Sequence, residues 1–443
     1  MYFKRISWLI RWVRERPLLF FAILHAILFL AVSANLDGIY GLVGFGGLER
    51  FFANTILSGQ VPYSDFSCEY PPLAIVSFLL PALIAATQPA YGFLFALEML
   101  LLDLAVLFIL WKLATRFKMR IWYVLGIYTL CLLAVGLVVT GRFDILPAAL
   151  VLIALYAFIS GRNKTAWAVL ALGFTAKLYP LIIAPLFALY LLRHREYKKL
   201  IYGVAIFGAI VLALNLPWII IDAEGYGEFL SYHLERGLHA ESSYGSVLLI
   251  GQILGRTQLD AGMTYGSWNI ISPMADNLAK SSFYVTVMFL LILYAFYTTQ
   301  LWKKSSNIAK EGMFSNGAAE LTLRYSLLAV FIMLLTSKVF SPQFLIWLCP
   351  LIPLVRVRWR YIPWLLFLVI GGLTQYIYPY HYLEFEYATL GSELGRNYLI
   401  IMLFIRNFLL VAMAIVYLLP LHNSSITKEG YDTADSLTPS GIA

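Results

Sequence analysis

Long apolar stretches, broken by short polar clusters, run along the chain from residue 17 to residue 419. Their apolar positions follow one another without the every-second-residue alternation of a barrel strand. In lipid a backbone must satisfy its own hydrogen bonds, and long non-alternating runs do so as helices. The pattern predicts spans at about 17–35, 72–87, 92–113, 121–139, 145–160, 165–176, 178–193, 199–219, 283–302, 319–336, 341–355, 361–378 and 398–419. The expected fold is an all-α polytopic membrane protein of about 12–13 transmembrane helices. Residues 1–420 form its single domain, and the polar stretch 421–443 is expected as a disordered cytoplasmic tail.

Two interruptions of the pattern stand apart. In "LERFFANTILSG", Leu48, Phe51, Phe52, Thr55 and Ile56 share one helical face. That spacing predicts a helix lying in the membrane surface, with Glu49 and Arg50 toward water. Directly after it, "GQVPYSDFSCEYPPL" at 59–73 sets two acids, two tyrosines and three prolines into an otherwise oily chain. The run at 72–87 begins with two prolines and ends at "TQPAY", and it reads as a re-entrant or interfacial helix. Twelve crossings then remain, with both termini inside.

Charge orients the bundle. Basic residues cluster in short connections: Arg116/Lys118/Arg120, Arg162/Lys164, Arg193/Arg195/Lys198/Lys199, Lys303/Lys304 and Arg356/Arg358/Arg360, beside Lys4, Arg5, Arg11, Arg14 and Arg16 at the start. Such clusters mark the cytoplasmic side. The basic stretch before residue 17 lacks a small-residue cleavage site after the first apolar run, so that run reads as a retained signal anchor. Segments 36–71, 141–144, 176–180, 220–282, 337–343 and 379–397 then fall outside. The 220–282 loop carries seven acids against three Lys/Arg, as an exterior loop does.

Composition agrees with this reading. Of 443 residues, 61% are apolar and 13% charged, and the mean hydropathy is +0.79. A soluble domain needs about 25% charged residues to cover its surface. The net charge of +8 comes from the topology clusters, so no nucleic-acid partner is expected. Cys68, Cys131 and Cys349 lack paired spacing, which implies neither a disulfide framework nor a zinc site.

The unusual polar residues gather on the exterior: Asp37, Asp65, Glu69, Arg142, Asp144, Lys177, His233, Arg236, His239, Glu241, Lys338, Gln343, His381 and Arg396. Ionisable groups at membrane depth are costly and commonly functional. Plainer roles stand beside this one. Asp37 could cap a helix, and Arg142 and Asp144 could pair with each other. Glu98 and Asp103 read as hydrogen-bonding inside the bundle, and His25 as structural. There is no P-loop, HExxH, Cys/His metal spacing or Asp-x-Asp pair, so no cofactor or metal is expected.

"LSGQVPYSDFSCEYPPL" resembles the first external loop of glycosyltransferase family 87, a family of the GT-C class. "GRFDILPAALVLIALY", "TAKLYPLIIAPL", "YHLERGLHAES" and "KVFSPQFLIWLCPLIP" match in the same order, up to about residue 353. The resemblance implies a GT-C-like bundle in the plasma membrane, with its active site on the extracytoplasmic side. The implied reaction is an inverting transfer of a hexose, mannose-like, from a polyprenyl-phosphate sugar donor to a lipid or glycan acceptor hydroxyl. Asp37 would be the base, although it lies twenty-two residues before Gly59, farther than is usual in the family. Glu49, Asp65 and Glu69 remain alternatives for that role. Lys177, Arg142, Arg236, His233 and Lys338 would bind the donor's phosphate and sugar. Asp144, Tyr63, Tyr70, Glu241 and Gln343 would shape the pocket or hold the acceptor. A transporter or flippase, or a polymerase or ligase of lipid-linked saccharides, would also carry such an exterior.

Overall fold

A computed structural model describes residues 13–34, 47–304, 315–390 and 397–419. Asp37, Arg396 and the expected tail at 421–443 lie outside the described residues. The chain is helical nearly throughout, as the apolar pattern predicts. Six helices have the length and apolarity to cross a bilayer: Gln88–Arg116, Tyr197–Ile221, Pro273–Lys303, Asn316–Thr336, Ile362–Tyr380 and Asn397–Leu418. Shorter apolar helices, among them Pro17–Ser33, Ile121–Val135 and Ile145–Ile159, complete the bundle. One apolar core runs through it.

The Pro72–Ala82 helix has 11 residues, a rise of about 16 Å against a hydrocarbon layer of about 30 Å. Pro71 in extended conformation and Pro72 at its first turn start it where a proline's missing N–H costs nothing. It packs against the Gly47–Leu57 helix, which forms where "LERFFANTIL" predicts a helix. The orientation of that helix differs from expectation. Phe52, Ala53 and Glu49 point inward and are buried, while Phe51 is 59% exposed and Arg50 reaches out to Gln88 Oε1 at 2.9 Å. The inward face is the 49/52/53/56 stripe, and Glu49 is drawn into it by a buried arginine.

Ile145–Ile159 and Asn163–Ala176 form a tight antiparallel pair of 15 and 14 residues, about 22 and 21 Å long. Both stop short of one end of the bundle. Tyr197–Ile221 leans on this pair through Gly203, where an added Cβ would strike the Trp167 indole.

The basic clusters meet at the other end. Arg356 donates to Phe117 O at 2.8 Å, and Tyr123 to Arg360 O at 2.9 Å. Asn163 donates to Lys199 O at 2.7 Å, and the Arg193 guanidinium lies 5.0 Å from the Trp302 ring. At the short-helix end sits a small satellite with its own core. It holds the Ala223–Glu235 and Ser243–Ile253 helices and an antiparallel sheet of β1 (Leu238–His239), β2 (Asp260–Thr264) and β3 (Ser267–Ile271), in the order β1-β3-β2. The apolar periodicity does not foretell this sheet, because its strands are only two to five residues long. Tyr265 and Gly266, with φ of 50° and 63°, make the two-residue turn between β2 and β3.

Candidate active site

Three helix breaks converge at the short-helix end. The first follows the one-turn helix Val138–Gly141, where Arg142 turns extended before Asp144 starts the next helix. The second is Lys177, extended at the end of Asn163–Ala176, with Pro180 just beyond preventing the helix from continuing. The third follows Thr336, where extended Ser337 leads through Lys338 to the 3-10 segment Pro342–Trp347. Irregular backbone survives inside a membrane protein where protein or a cavity, not lipid, surrounds it.

The breaks bring together two buried ion pairs. Arg142 Nη1 lies 3.2 Å from Glu49 Oε1, and Lys177 Nζ lies 2.6 Å from Asp144 Oδ1. Arg142 and Lys177 each keep 19% of their side chains exposed, whereas Glu49 and Asp144 keep at most 1%. The acids are therefore fully covered, and the cations keep part of their surface accessible. Arg142 and Asp144 do not pair with each other; each has a different partner. Asp144 Oδ1 also accepts from Trp347 Nε1 at 2.7 Å. Lys177 Nζ lies 4.6, 5.0 and 5.3 Å from the rings of Phe143, Phe344 and Trp347, a cage that holds the ammonium by its charge. Tyr179 stacks on Trp347 at 4.0 Å. Glu49 Oε2, Asp144 Oδ2 and Tyr179 OH are buried without a hydrogen-bond partner among the described residues.

A second group of cations faces this floor from the satellite. Arg236 Nε donates to Ser267 Oγ at 3.3 Å, and Lys338 Nζ to Leu234 O at 2.6 Å. Neither forms an ion pair with an acid among the described residues. Burial, and then the Arg236 charge, lowers the Lys338 ammonium below its ordinary value. His233 Nε2 bonds Glu69 O at 3.1 Å. Burial lowers this imidazole first; the hydrogen bond to the Glu69 carbonyl and then the Glu69 carboxylate oppose that, while Arg236 and Lys177 push the same way as burial. His233 is thus neutral near pH 7, and its Nε2–H donates to the Glu69 carbonyl. Glu69 is half-buried, and Tyr232 and the Gly266 turn stand beside its carboxylate.

The remaining expected residues fall in several places. Asp65 is exposed, and its Oδ2 accepts from Val61 N at 2.7 Å, closing its own turn. Tyr63 is buried among Trp218, Tyr226 and Phe229, with φ at +68°. Its hydroxyl donates to Tyr70 O at 2.5 Å, and its carbonyl would meet any Cβ placed at Gly225. Tyr63 thus fastens the 59–70 loop to the Ala223–Glu235 helix. Tyr70 packs on Phe52, Phe78 and Phe143, next to Arg142. Glu241 is buried against Arg406 at 2.9 Å, which ties the satellite to the Asn397–Leu418 helix. Gln343 is half-buried in the first turn of the Pro342–Trp347 segment.

Sequence reasoning missed the inward turn of Glu49 and the role of Trp347. Glu49 was legible in the 49/52/53/56 spacing; Trp347 carried no signal beyond its apolar run. Among the described residues, no three His, Cys, Asp or Glu side chains gather as a metal site.

Glu69, both ion-pair cations, His233 and Arg236 all lie inside the region that a known family's sequence pattern covers. The model of glycosyltransferase family 87 matches residues 69–337. No curated protein matches the chain. The match takes in well over half of the chain and ends one residue before Lys338, and so the chain belongs to glycosyltransferase family 87.

Proposed function

We propose that this glycosyltransferase moves a hexose, mannose-like, from a polyprenyl-phosphate sugar to an acceptor hydroxyl at the extracytoplasmic face of the plasma membrane. The observation that carries this reading is the approach of Arg236 and Lys338 without an acidic partner among the described residues, near the largely buried cations Arg142 and Lys177. Like charges held together in a desolvated site repel, and an anion such as a phosphate ester relieves that cost.

In this reading the acceptor oxygen attacks the anomeric carbon from the face opposite the phosphate. A carboxylate takes the hydroxyl proton. The bond from the anomeric carbon to the phosphate oxygen breaks, and its electron pair leaves with the phosphate monoester. Lys177, Arg236 and Lys338 hold the charge that builds there, with Arg142 behind them. Direct displacement inverts the anomeric centre. Asp37 is the base in this reading, and Glu69 is the alternative carboxylate. Neutral His233 offers Nδ1 as an acceptor to sugar or phosphate.

The test is sugar transfer in reconstituted membranes from a labelled polyprenyl-phosphate hexose. Arg236→Ala should raise the apparent donor KM by roughly 10- to 100-fold, as the loss of a charged hydrogen bond worth about 1.5–3 kcal/mol does. Asp37→Asn should abolish turnover, and Glu69→Gln should leave a measurable fraction. Unchanged donor kinetics in Arg236→Ala would remove the phosphate role, and full activity in Asp37→Asn would remove that base.

A further inference from the structure

The satellite carries a second concave site that the donor chemistry does not use. A cavity of about 1050 Å³ opens between the end of the Ser243–Ile253 helix, the loop to β2, the outer ends of β2 and β3, and the start of the Asn397–Leu418 helix. Ligand sites commonly run to about 300–1,000 Å³, so this one has room for more than one sugar ring. Its lining mixes apolar side chains, among them Ile253, Ile271 and Ile400, with polar ones. Arg256, Gln258, Asp260 and Asn397 line it, and none has a side-chain hydrogen bond or ion pair among the described residues. Gln252 is tethered to Leu259 O at 3.4 Å through Nε2, and its buried Oε1 has no partner among the described residues. Polar groups in a concavity that bond neither one another nor the fold are available to a ligand. Amides, a carboxylate and a guanidinium form the set that matches sugar hydroxyls, which both donate and accept.

The placement connects this cavity to the reaction. Asp260 pairs with Ile271 at the outer end of the β2–β3 hairpin, and Thr264 pairs with Ser267 at its tip. Four residues of strand advance about 14 Å. At the tip, Ser267 holds Arg236, and Gly266 lies beside Glu69. The hairpin is thus a short ruler from the cavity to the candidate active site. We propose that this cavity is an acceptor subsite for a linear oligosaccharide, gripping sugar units removed from the hydroxyl that reacts. The proposal needs only that the chain transfers sugar, and it holds whatever the donor is.

Binding is measured without donor, by saturation-transfer NMR on the full chain in nanodiscs. The probes are methyl glycosides of the common hexoses and their linear di- and trisaccharides. Wild-type protein should show transfer to at least one oligosaccharide, stronger than to its monosaccharide. Arg256→Ala/Asp260→Asn should abolish that signal. Both side chains are exposed and uncommitted, so this variant should keep the wild-type melting temperature. Lys177→Ala, altered at the other site, should bind the oligosaccharide as wild type does. With a glycan acceptor in a transfer assay, the double variant should raise the acceptor KM at least about tenfold while kcat stays within a factor of two. Absence of binding across the panel, or equal binding by the double variant, overturns the proposal.

Discussion

Glu49 shows how much one side chain decides at this site. Its carboxylate is fully buried, and it neutralises an arginine whose other face is open. Removing one partner of such a pair leaves the other charge without compensation, which costs about 3–5 kcal/mol in a closed interior. Arg142 retains some exposure, so Glu49→Gln should cost about 3 kcal/mol at most, read as a lower unfolding midpoint in detergent, together with a fall in turnover. A variant as stable and active as wild type would mean that the pair is incidental. His239 gives a pH signature. Burial, then the Arg236 and Arg406 charges, pushes this imidazole down to about 3. The unfolded chain takes up its proton near pH 6.5. Stability is therefore complete above about 6.5 and declines as the pH falls toward 3, because the unfolded state binds the extra proton. The melting temperature should drop between pH 7 and pH 5, and His239→Gln should flatten that slope.

Among the elements, the helices and the places where they break were legible, and the partners that the breaks bring together were not. Hydropathy reads length and apolarity, and it recovered the six long helices, whereas the expected span 341–355 is the two 3-10 segments Pro342–Trp347 and Ile352–Leu354. Prolines also marked the run at 72–87 as a short element, although its helix ends five residues earlier than the run, at Ala82. The turn at Lys177 depends on Pro180 together with the partner that the ammonium finds across the bundle, and no local pattern contains that partner. The pairing of Arg142 with Glu49, 93 residues away, was hidden for the same reason. Glu98 and Asp103, read as bundle residues, do bond within it: Ser77 donates to Glu98 at 2.7 Å, and Tyr128 donates to Asp103 at 2.6 Å. His25 bridges Asp103 at 2.5 Å and Thr129 at 2.7 Å, locking three helices together. Close packing is equally specific at Gly203. Gly203→Leu should push Tyr197–Ile221 off Trp167 and cost about 1–3 kcal/mol, seen as a lowered melting temperature. An unchanged melting temperature would show that this helix moves freely.

At the scale of the molecule, one end is basic and the other holds the satellite and the ion pairs. The basic clusters touch one another across the bundle, which supports the cytoplasmic side assigned to all of them. Single cysteines test this directly in a background with Cys68, Cys131 and Cys349 replaced. In intact cells, an impermeant maleimide should label Glu228→Cys and should label Lys198→Cys only after permeabilisation. Labelling of both, or the reverse order, would invert the proposed orientation.

The short pair Ile145–Ile159 and Asn163–Ala176 has an electrical consequence. Counted from the Arg162/Lys164 turn, Asp144 and Lys177 stand only about 22 Å across a layer of about 30 Å. In a layer of that thickness the two groups lie about 8 Å below the satellite-side surface. A charge reaching that depth from the satellite side passes through about a quarter of the potential, roughly 0.6 kcal/mol per 100 mV. An anion seated among these cations therefore feels the energised state of the membrane as well as the chemistry of the pocket.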